Sequence, residues 1–387
     1  MKNITVVHPS FNVLGGAERV ALKVIEAISE EGFSVNVITF DAIGIKEFLR
    51  FFPSQTNIQV QELSHLKLLP SINRGIIQNL LLYPTLRRLR NSSVIVNTKF
   101  NELPTLADII YIHYPFYFIA FKNPLDPSFI NGPALGKQIK SSVYKPYVKA
   151  SGYIGSTISL NYIKKASRVL FNSIYTYTLF RHYIDVVKQI SKYLILNPPI
   201  DDAYFKEHLH EKEKIIVMRT KGVRSEIVAD IVLKLAKTLR NWNIVIIGFT
   251  DKKYYNAVKQ KLNSVNVKLL LNIDETTKRK ILSRATLYVH LTPYEHFGIL
   301  IGEALASGCR VIVHKFSGIV YDILSKYSIQ DVEKCVSTYN NFLEIPNIAS
   351  DIARDENYNP QHCRSLVTPF SESIFKERVK EIIMRIT

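Results

Sequence analysis

The sequence predicts an α/β protein made of two doubly wound, Rossmann-like domains in series, and three observations carry that prediction. Short apolar strands alternate with amphipathic helical stripes through residues 4–40 and again through 214–314, as in parallel sheets whose crossovers are helices. Between them, Asn197-Pro198-Pro199 interrupts every regular period, because proline offers no N–H and disfavours helix in the residue before it. The chain has 387 residues, 47% of them hydrophobic, which is more than one core usually supports. The expected division is 1–197, 198–369 and a closing segment, 370–387, packed back on the first domain.

In chain order, 4–8 reads as a strand, Gly15-Gly16 as part of the turn after it, and Val20, Ala21, Val24, Ile25 and Ile28 as one helix face, followed by a strand at 34–40. Apolar runs at 94–96, 109–112 and 169–171 continue this sheet. Past the prolines, strands at 214–218, 244–248, 267–271, 287–291 and 310–314 alternate with helices from about Glu226, near 276–284 and near 299–307. Phe375, Val379, Ile382 and Ile386 recur at helical spacing and give a closing helix over 372–386. Two such domains leave a cleft between them, the natural place for a ligand.

A net charge of +17 draws the protein toward something anionic: nucleic acid, an acidic lipid surface or a phosphate-bearing ligand. Cys309, Cys335 and Cys363 are far apart with no Cys-x-x-Cys pair, so neither a disulfide framework nor a zinc site is expected, and a reducing cytosol fits. The opening residues lack the pattern of a signal peptide, and no uncharged apolar run approaches the ~20 residues of a membrane span, so a membrane role would be peripheral.

The segment Tyr294-Glu295-His296-Phe297-Gly298-Ile299-Leu300-Ile301-Gly302-Glu303-Ala304-Leu305-Ala306-Ser307-Gly308 leaves a strand, turns at Gly298 and enters a helix. The N–H groups of residues 298–300 would then point out of a helix N-terminus and suit a phosphate. Glu295 and Glu303 flank that anion site, one suited to a sugar hydroxyl and the other to a ribose diol, although either could be a solvated helix acid. Gly15-Gly16 opens the first helix in the same way. Met218-Arg219-Thr220-Lys221-Gly222-Val223-Arg224 follows a strand at the end where doubly wound sheets bind ligands, with Arg219, Lys221 and Arg224 as candidate cations for a diphosphate. Tyr111-Ile112-His113-Tyr114-Pro115 places His113 just past another strand end.

Together these segments resemble glycosyltransferase family 4, whose Glu-x7-Glu motif is similar to Glu295–Glu303 with its Glu-His-Phe-Gly-Ile start and Glu-Ala-Leu-Ala-Ser-Gly finish. Within the family, His113-Tyr114-Pro115, Asn172-Ser173 and Asn197-Pro198-Pro199-Ile200-Asp201 look most like the α-mannosyltransferases that extend dolichol-linked oligosaccharide. The resemblance runs from about residue 4 to 325 and leaves 42–90 and 325–370 uncovered. It implies a GT-B fold, two domains facing across a cleft, and retaining transfer of a hexose from a nucleotide-sugar, GDP-mannose, to a lipid-linked acceptor. It implies catalytic roles for His113, Glu295, Arg219 and Arg224. Donor binding falls to Gly15, Gly16, Lys221, Phe297, Gly298, Ile299, Leu300 and Glu303. Arg224 stands where the family carries lysine, and a planar guanidinium is not equivalent to an ammonium.

No Asp-x-Asp pair occurs, so no metal or other cofactor is expected, and the cations and helix N-termini would meet the diphosphate charge instead. From Lys137 to Lys192, eight lysines and two arginines face a single acid, Asp185, interleaved with Tyr144, Tyr147, Tyr153, Tyr162, Tyr175, Tyr177 and Tyr183. With Ile76-Ile77 and Leu80-Leu81-Leu82 running into Arg87-Arg88-Leu89-Arg90, and the aromatic stretch 116–121, this suits an anionic membrane and a polyprenyl acceptor. A solvated basic face with ordinary core aromatics explains the same residues. The reading is thus a cytoplasmic, peripherally membrane-associated transferase with no nucleic acid partner; a basic nucleic-acid-binding protein, a GT-B epimerase, a glycogen-type synthase and a catalytically silent GT-B protein are the alternatives.

Overall fold

A computed structural model describes residues 3–12, 15–51, 58–63, 71–124, 126, 144–183, 192–209, 211–219, 223–249, 252–262, 267–271, 273–355 and 358–386. The described residues form two compact units, one comprising those before Ile200 together with the helix Glu372–Met384, the other Ile200–Ser371.

The first unit is a seven-stranded, wholly parallel sheet: β1 (Asn3–Val7), β2 (Val35–Thr39), β3 (Ile58–Glu62), β4 (Ser93–Asn97), β5 (Ile109–Ile112), β6 (Arg168–Phe171) and β7 (Tyr193–Ile195), in the order β3-β2-β1-β4-β5-β6-β7. Ile4 of β1 lies opposite both Val35 and Val94. Its central strands are buried on both faces, which is why they read as continuous apolar runs. β3 is an edge strand, Ile58-Gln59-Val60-Gln61-Glu62, whose polar alternation hides it in the sequence.

The helix Glu372–Met384 returns to this unit and packs on the helix Gly16–Glu30. Phe375, Val379 and Ile383 are its buried face, with Ile382 and Ile386 half-covered beside them. Lys376 bridges Glu26 and Glu30, both at 2.9 Å, and Lys23 bridges Glu372 at 2.7 Å. Apolar burial holds the contact, and the ion pairs fix its register.

The second unit has a six-stranded parallel sheet: β8 (Glu213–Arg219), β9 (Asn243–Phe249), β10 (Val267–Leu271), β11 (Ala285–His290), β12 (Arg310–His314) and β13 (Val336–Tyr339), ordered β10-β9-β8-β11-β12-β13. Both faces are covered by helices, with Val217, Tyr288 and Val311 in one apolar cluster and Ile216, Val289 and Ile312 in the other. Both units carry parallel sheets of the Rossmann type.

Two expectations are corrected. Cys335 and Cys363 form a disulfide, their Cα atoms 5.4 Å apart, tying the start of β13 to the helix Pro360–Ser365. Pairing depends on where the chain path brings two residues, and their separation of 28 residues does not show it. The bridge removes the support that cysteine spacing lent to a reducing compartment.

Of the described tyrosines of the basic segment, two are buried, three half-buried and one exposed. Tyr162 and Tyr175 are each 7% exposed, and Tyr117 and Phe118 of the 116–121 stretch are buried, whereas Tyr153 is exposed. Lys137, Lys140, Asp185 and Lys188 lie outside the described residues. No helix among the described residues is long and apolar enough to cross a membrane.

Part of this burial comes from glycine. The helices Phe116–Lys122 and Tyr144–Lys165 pack closely because Gly152 and Gly155 face the first of them. A Cβ at Gly152 would lie 2.7 Å from the Ala120 carbonyl carbon, and one at Gly155 would overlap the Tyr117 ring. Gly155→Leu should therefore destabilise the protein by about 1–3 kcal/mol through overpacking, read as a lower urea midpoint. An unchanged midpoint would mean that the two helices are not in close contact.

Candidate active site

The chemistry-bearing side chains of the second unit stand along the carboxyl edge of its sheet. β8 ends in Arg219 and β11 in His290. The loop after β11 turns into the helix Ile299–Ala306, and the loop after β12 turns into the helix Gly318–Leu324. The two loops are joined by backbone bonds from Gly318 N–H to the Glu295 carbonyl (2.8 Å) and from Ile319 N–H to the Phe297 carbonyl (2.9 Å). Gly298 has φ +97°, and a Cβ there would lie 2.6 Å from Ile301 Cδ1 and 3.2 Å from Glu295 Cγ. Only glycine meets both conditions at that turn. Tyr294, beside Glu295, is a non-glycine residue at φ +55° and stacks on Phe316, a strained position of the kind that collects at functional sites.

Glu295 has the most fully defined surroundings of the candidate side chains. Its Oε2 lies 3.1 Å from His290 Nε2 and 3.4 Å from an Arg219 guanidinium nitrogen, while His290 Nδ1 lies 2.8 Å from the Tyr288 hydroxyl. A carboxylate needs a donor opposite it, so Nε2 carries the ring proton, Nδ1 accepts and the tyrosine donates. Burial alone would raise the Glu295 pKa, but the hydrogen bond from His290 and the nearby Arg219 charge outweigh it and bring it down to about 2. Burial lowers the pKa of His290, which stays neutral. The carboxylate is thus ionised, held on one oxygen and still partly exposed, its side chain at 27%.

Glu303 is in a different state. Its side chain is 1% exposed and pairs with Lys278 Nζ at 2.7 Å, and the same ammonium also pairs with Glu275 at 2.8 Å. Phe297 is 2% exposed and packs edge-on against Phe370, so its side chain holds the loop in the core. Ile299 and Leu300 are half-buried in the first helical turn; the intrahelical bonds begin with Ile301 and Gly302 donating to the Gly298 carbonyl, and the N–H groups before them have no intrahelical acceptor. Arg224 is exposed at the N-terminus of the helix Ser225–Thr238. Lys221 lies outside the described residues.

The first unit has its own cluster at the carboxyl ends of β1, β4 and β5. Glu18 Oε2 accepts from Gly15 N–H (3.0 Å), and its Oε1 lies 2.8 Å from Lys99 Nζ and 3.6 Å from His8 Nε2. The Gly15 N–H expected to meet an anion is therefore occupied by this carboxylate, while Gly16 is exposed in the first turn. His113 Nε2 lies 2.9 Å from the Thr98 carbonyl, so it carries the proton and Nδ1 is the acceptor. Burial lowers His113 to about 3, which keeps it neutral.

The sequence assigns no role to Tyr288, His290, Lys278, Glu18 or Lys99, although Glu18 belongs to the Gly15-Gly16-Ala17-Glu18-Arg19 turn. Tyr288 and His290 could have been found, since residues two apart on a strand share a face. Lys278 carries no sequence signal, because the helix Glu275–Arg284 brings it to Glu303 from 25 residues away.

Known proteins share this architecture. The structure aligns with WaaG, described as a glycosyltransferase involved in lipopolysaccharide biosynthesis, at TM-score 0.68 and 12% identity over 98% of this chain and 99% of that one. A glycosyltransferase from Rickettsia africae aligns at TM-score 0.63 and 13% identity over 100% and 99%. The chain has the GT-B fold. Residues 200–341, within the second unit, match the family "Glycosyl transferases group 1". A relative from Xenopus tropicalis, named GDP-Man:Man(3)GlcNAc(2)-PP-Dol alpha-1,2-mannosyltransferase, is 26% identical over 244 residues, 56% of this chain and 48% of the relative. The chain spans about half the length of the curated relatives that it matches.

Replacing Glu303 with glutamine leaves Lys278 with less compensation in a nearly closed site. Glu303→Gln should cost about 1–3 kcal/mol, seen as a lower urea midpoint at unchanged slope, and Lys278→Met in the same chain should return part of that. Additive losses would show that the pair is not coupled.

Proposed function

We propose that the chain is a retaining glycosyltransferase that moves a hexose, mannose from GDP-mannose, to a lipid-linked oligosaccharide or glycolipid at the cytosolic face of a membrane. The observation that carries this reading is Glu295, ionised and held by one oxygen beside Arg219 at the entrance to the helix Ile299–Ala306, inside the glycosyl transferases group 1 domain. The printed activity of the Xenopus relative supports the choice of donor and acceptor.

In this mechanism the N–H groups of 298–300, Arg219 and Arg224, with Lys221, bind the donor diphosphate. As the bond from the anomeric carbon to phosphate breaks, they stabilise the charge on the leaving oxygen. Glu295 faces the oxocarbenium-like carbon without bonding to it. The acceptor hydroxyl attacks from the leaving-group side, the new glycosidic bond forms there, and a phosphate oxygen takes the hydroxyl proton. Neutral His113 accepts from a hydroxyl of the transferred sugar. Glu303 serves the ribose and, through Lys278, the position of the helix. The positive groups provide the charge compensation that a metal provides elsewhere, so transfer is proposed to run without one.

Thermal unfolding against GDP-, UDP- and ADP-sugars without added metal tests the donor. At a hundredfold excess over Kd, GDP-mannose should stabilise the protein by about 2.7 kcal/mol, a rise of roughly 5–10 °C, and Glu303→Ala should lose it. Glu295→Gln and Arg219→Ala should each cut turnover by about 10²–10³-fold. Full activity in both would refute the site.

The first unit supplies a surface for the acceptor's membrane. Leu80 and Leu81 on the helix Ser71–Leu89, and Tyr153 and Ile154 on the helix Tyr144–Lys165, are exposed. Arg87, Arg88, Lys149, Lys164 and Lys165 on the same two helices are exposed too. Apolar side chains among cations suit an anionic bilayer surface. Leu80→Ser with Leu81→Ser should weaken flotation with phosphatidylserine-containing vesicles more than with phosphatidylcholine alone. Equal recovery with the parent protein would rule this surface out.

A further inference from the structure

Resting on the reading of Glu295 as the carboxylate that faces the donor sugar, we infer that His290, oriented by Tyr288, is a positioning residue: its Nε2–H fixes Glu295 Oε2 and leaves Oε1 to the substrate. The geometry carries this. Both rings are fully buried, and the line from Tyr288 Oη to His290 Nδ1 to Nε2 to Glu295 Oε2 is closed by contacts of 2.8 and 3.1 Å. The Tyr339 hydroxyl also bonds the His290 backbone carbonyl at 3.0 Å, anchoring the strand end from the β13 side. A loop carboxylate is thereby tied to the sheet itself, which is how a reacting group is held closely enough to matter.

The arrangement also solves a problem of shared charge. Arg219 and His290 address the same Glu295 oxygen, and Arg219 does so at the longer distance, 3.4 Å. A diphosphate carries more negative charge than a carboxylate and would draw the guanidinium away. Were Arg219 the sole anchor, donor binding would release Glu295 at the moment of need. A neutral imidazole donates one hydrogen bond without competing for the phosphate, so Glu295 keeps its orientation when Arg219 turns to the donor.

The groups that set the ionisation of Glu295 are His290 on β11, Arg219 on β8 and His296 on its own loop; His290 in turn faces Glu295, Arg219 and the Tyr288 hydroxyl. His290 lowers the Glu295 pKa, so losing the imidazole donor lets it rise. Activity that needs the carboxylate then fails at a higher pH than before.

The test compares the parent protein with Glu295→Gln, His290→Ala, His290→Gln and Tyr288→Phe, following release of mannose from GDP-mannose across the acid range. His290→Ala should lower kcat roughly 10- to 100-fold with KM nearly unchanged, and move the acid limb of kcat up by about one unit or more. His290→Gln, whose amide N–H reaches the Nε2 position, should restore most of the rate and return the limb. Tyr288→Phe should give a smaller change in the same direction. Parent-like acid limbs throughout the His290 series, or a glutamine variant no better than alanine, overturn the inference. Should His290→Ala not fold, nitrogen-15 spectra of the histidine rings decide: His290 must appear as the neutral Nε2–H tautomer from pH 5 to 8, and the Nδ1–H form sinks it. Glu295→Gln with full activity instead defeats the functional reading beneath, whereas an inactive Glu295→Gln beside unaffected His290 variants defeats this inference alone.

Discussion

Parallel strands leave all their carboxyl ends on one edge of a sheet, where each must turn into a helix, and the backbone geometry of those turns decides what the edge can hold. In the second unit the decisive turn is the one after β11. Its left-handed Gly298 lets the helix start directly beneath Glu295 Cγ, and two backbone hydrogen bonds tie the loop to the one that follows β12. Within that frame the helix N–H groups, the Arg219 guanidinium and the Glu295 carboxylate belong to one edge. A bulkier residue at 298 would push against Ile301 and Glu295 together, so the start of the helix and the carboxylate depend on the same missing side chain.

Three carboxylates of this chain show how surroundings divide the work of one functional group. Glu18 accepts from the Gly15 N–H at the helix cap, and His8 and Lys99 hold its pKa down against the effect of burial. Such a carboxylate is structural, tying the first helix to the loop after β4. Glu303 is almost closed off, with Lys278 beside it. Glu295 alone combines a firm anchor on one oxygen with an exposed remainder, the condition for acting on something that comes and goes. The glutamate spacing in the motif marks both Glu295 and Glu303, yet cannot say that one stays partly exposed and the other is nearly closed off beside Lys278.

What could be read from the sequence follows physical period and local constraint. The strand runs, the proline interruption and the glycine-bearing turns are written in neighbouring residues, and each element around the site follows from them. β3 was illegible because an edge strand with polar alternation looks like a loop. Lys278, Lys99 and the Cys335–Cys363 bridge were illegible for another reason: tertiary path alone makes them neighbours. The basic segment misled differently. Its tyrosines do not share one environment: Tyr162 and Tyr175 are buried, while Tyr153 reaches the surface beside Ile154, as do Leu80 and Leu81 on the helix Ser71–Leu89. Counting aromatics among cations records composition, whereas exposure depends on which face of a helix its neighbours leave open.

That distinction bears on how a chain of net charge +17 would find a lipid-borne acceptor. Positive charge acts over roughly a Debye length of 8 Å at physiological salt, and so concentrates the protein near any anionic surface without choosing an orientation. Exposed leucines act only in contact, but they are confined to particular faces of particular helices and therefore orient what charge has gathered. Arg87 and Arg88 follow Leu80 and Leu81 on one helix, and Lys149 precedes Tyr153 and Ile154 on another. In the proposed reading attraction and orientation fall to the same two helices of the first unit, while residues 200–341 and the ionised Glu295 belong to the second. A transferase of the kind proposed, divided in this way, could alter its acceptor surface without disturbing the charges that act on the donor.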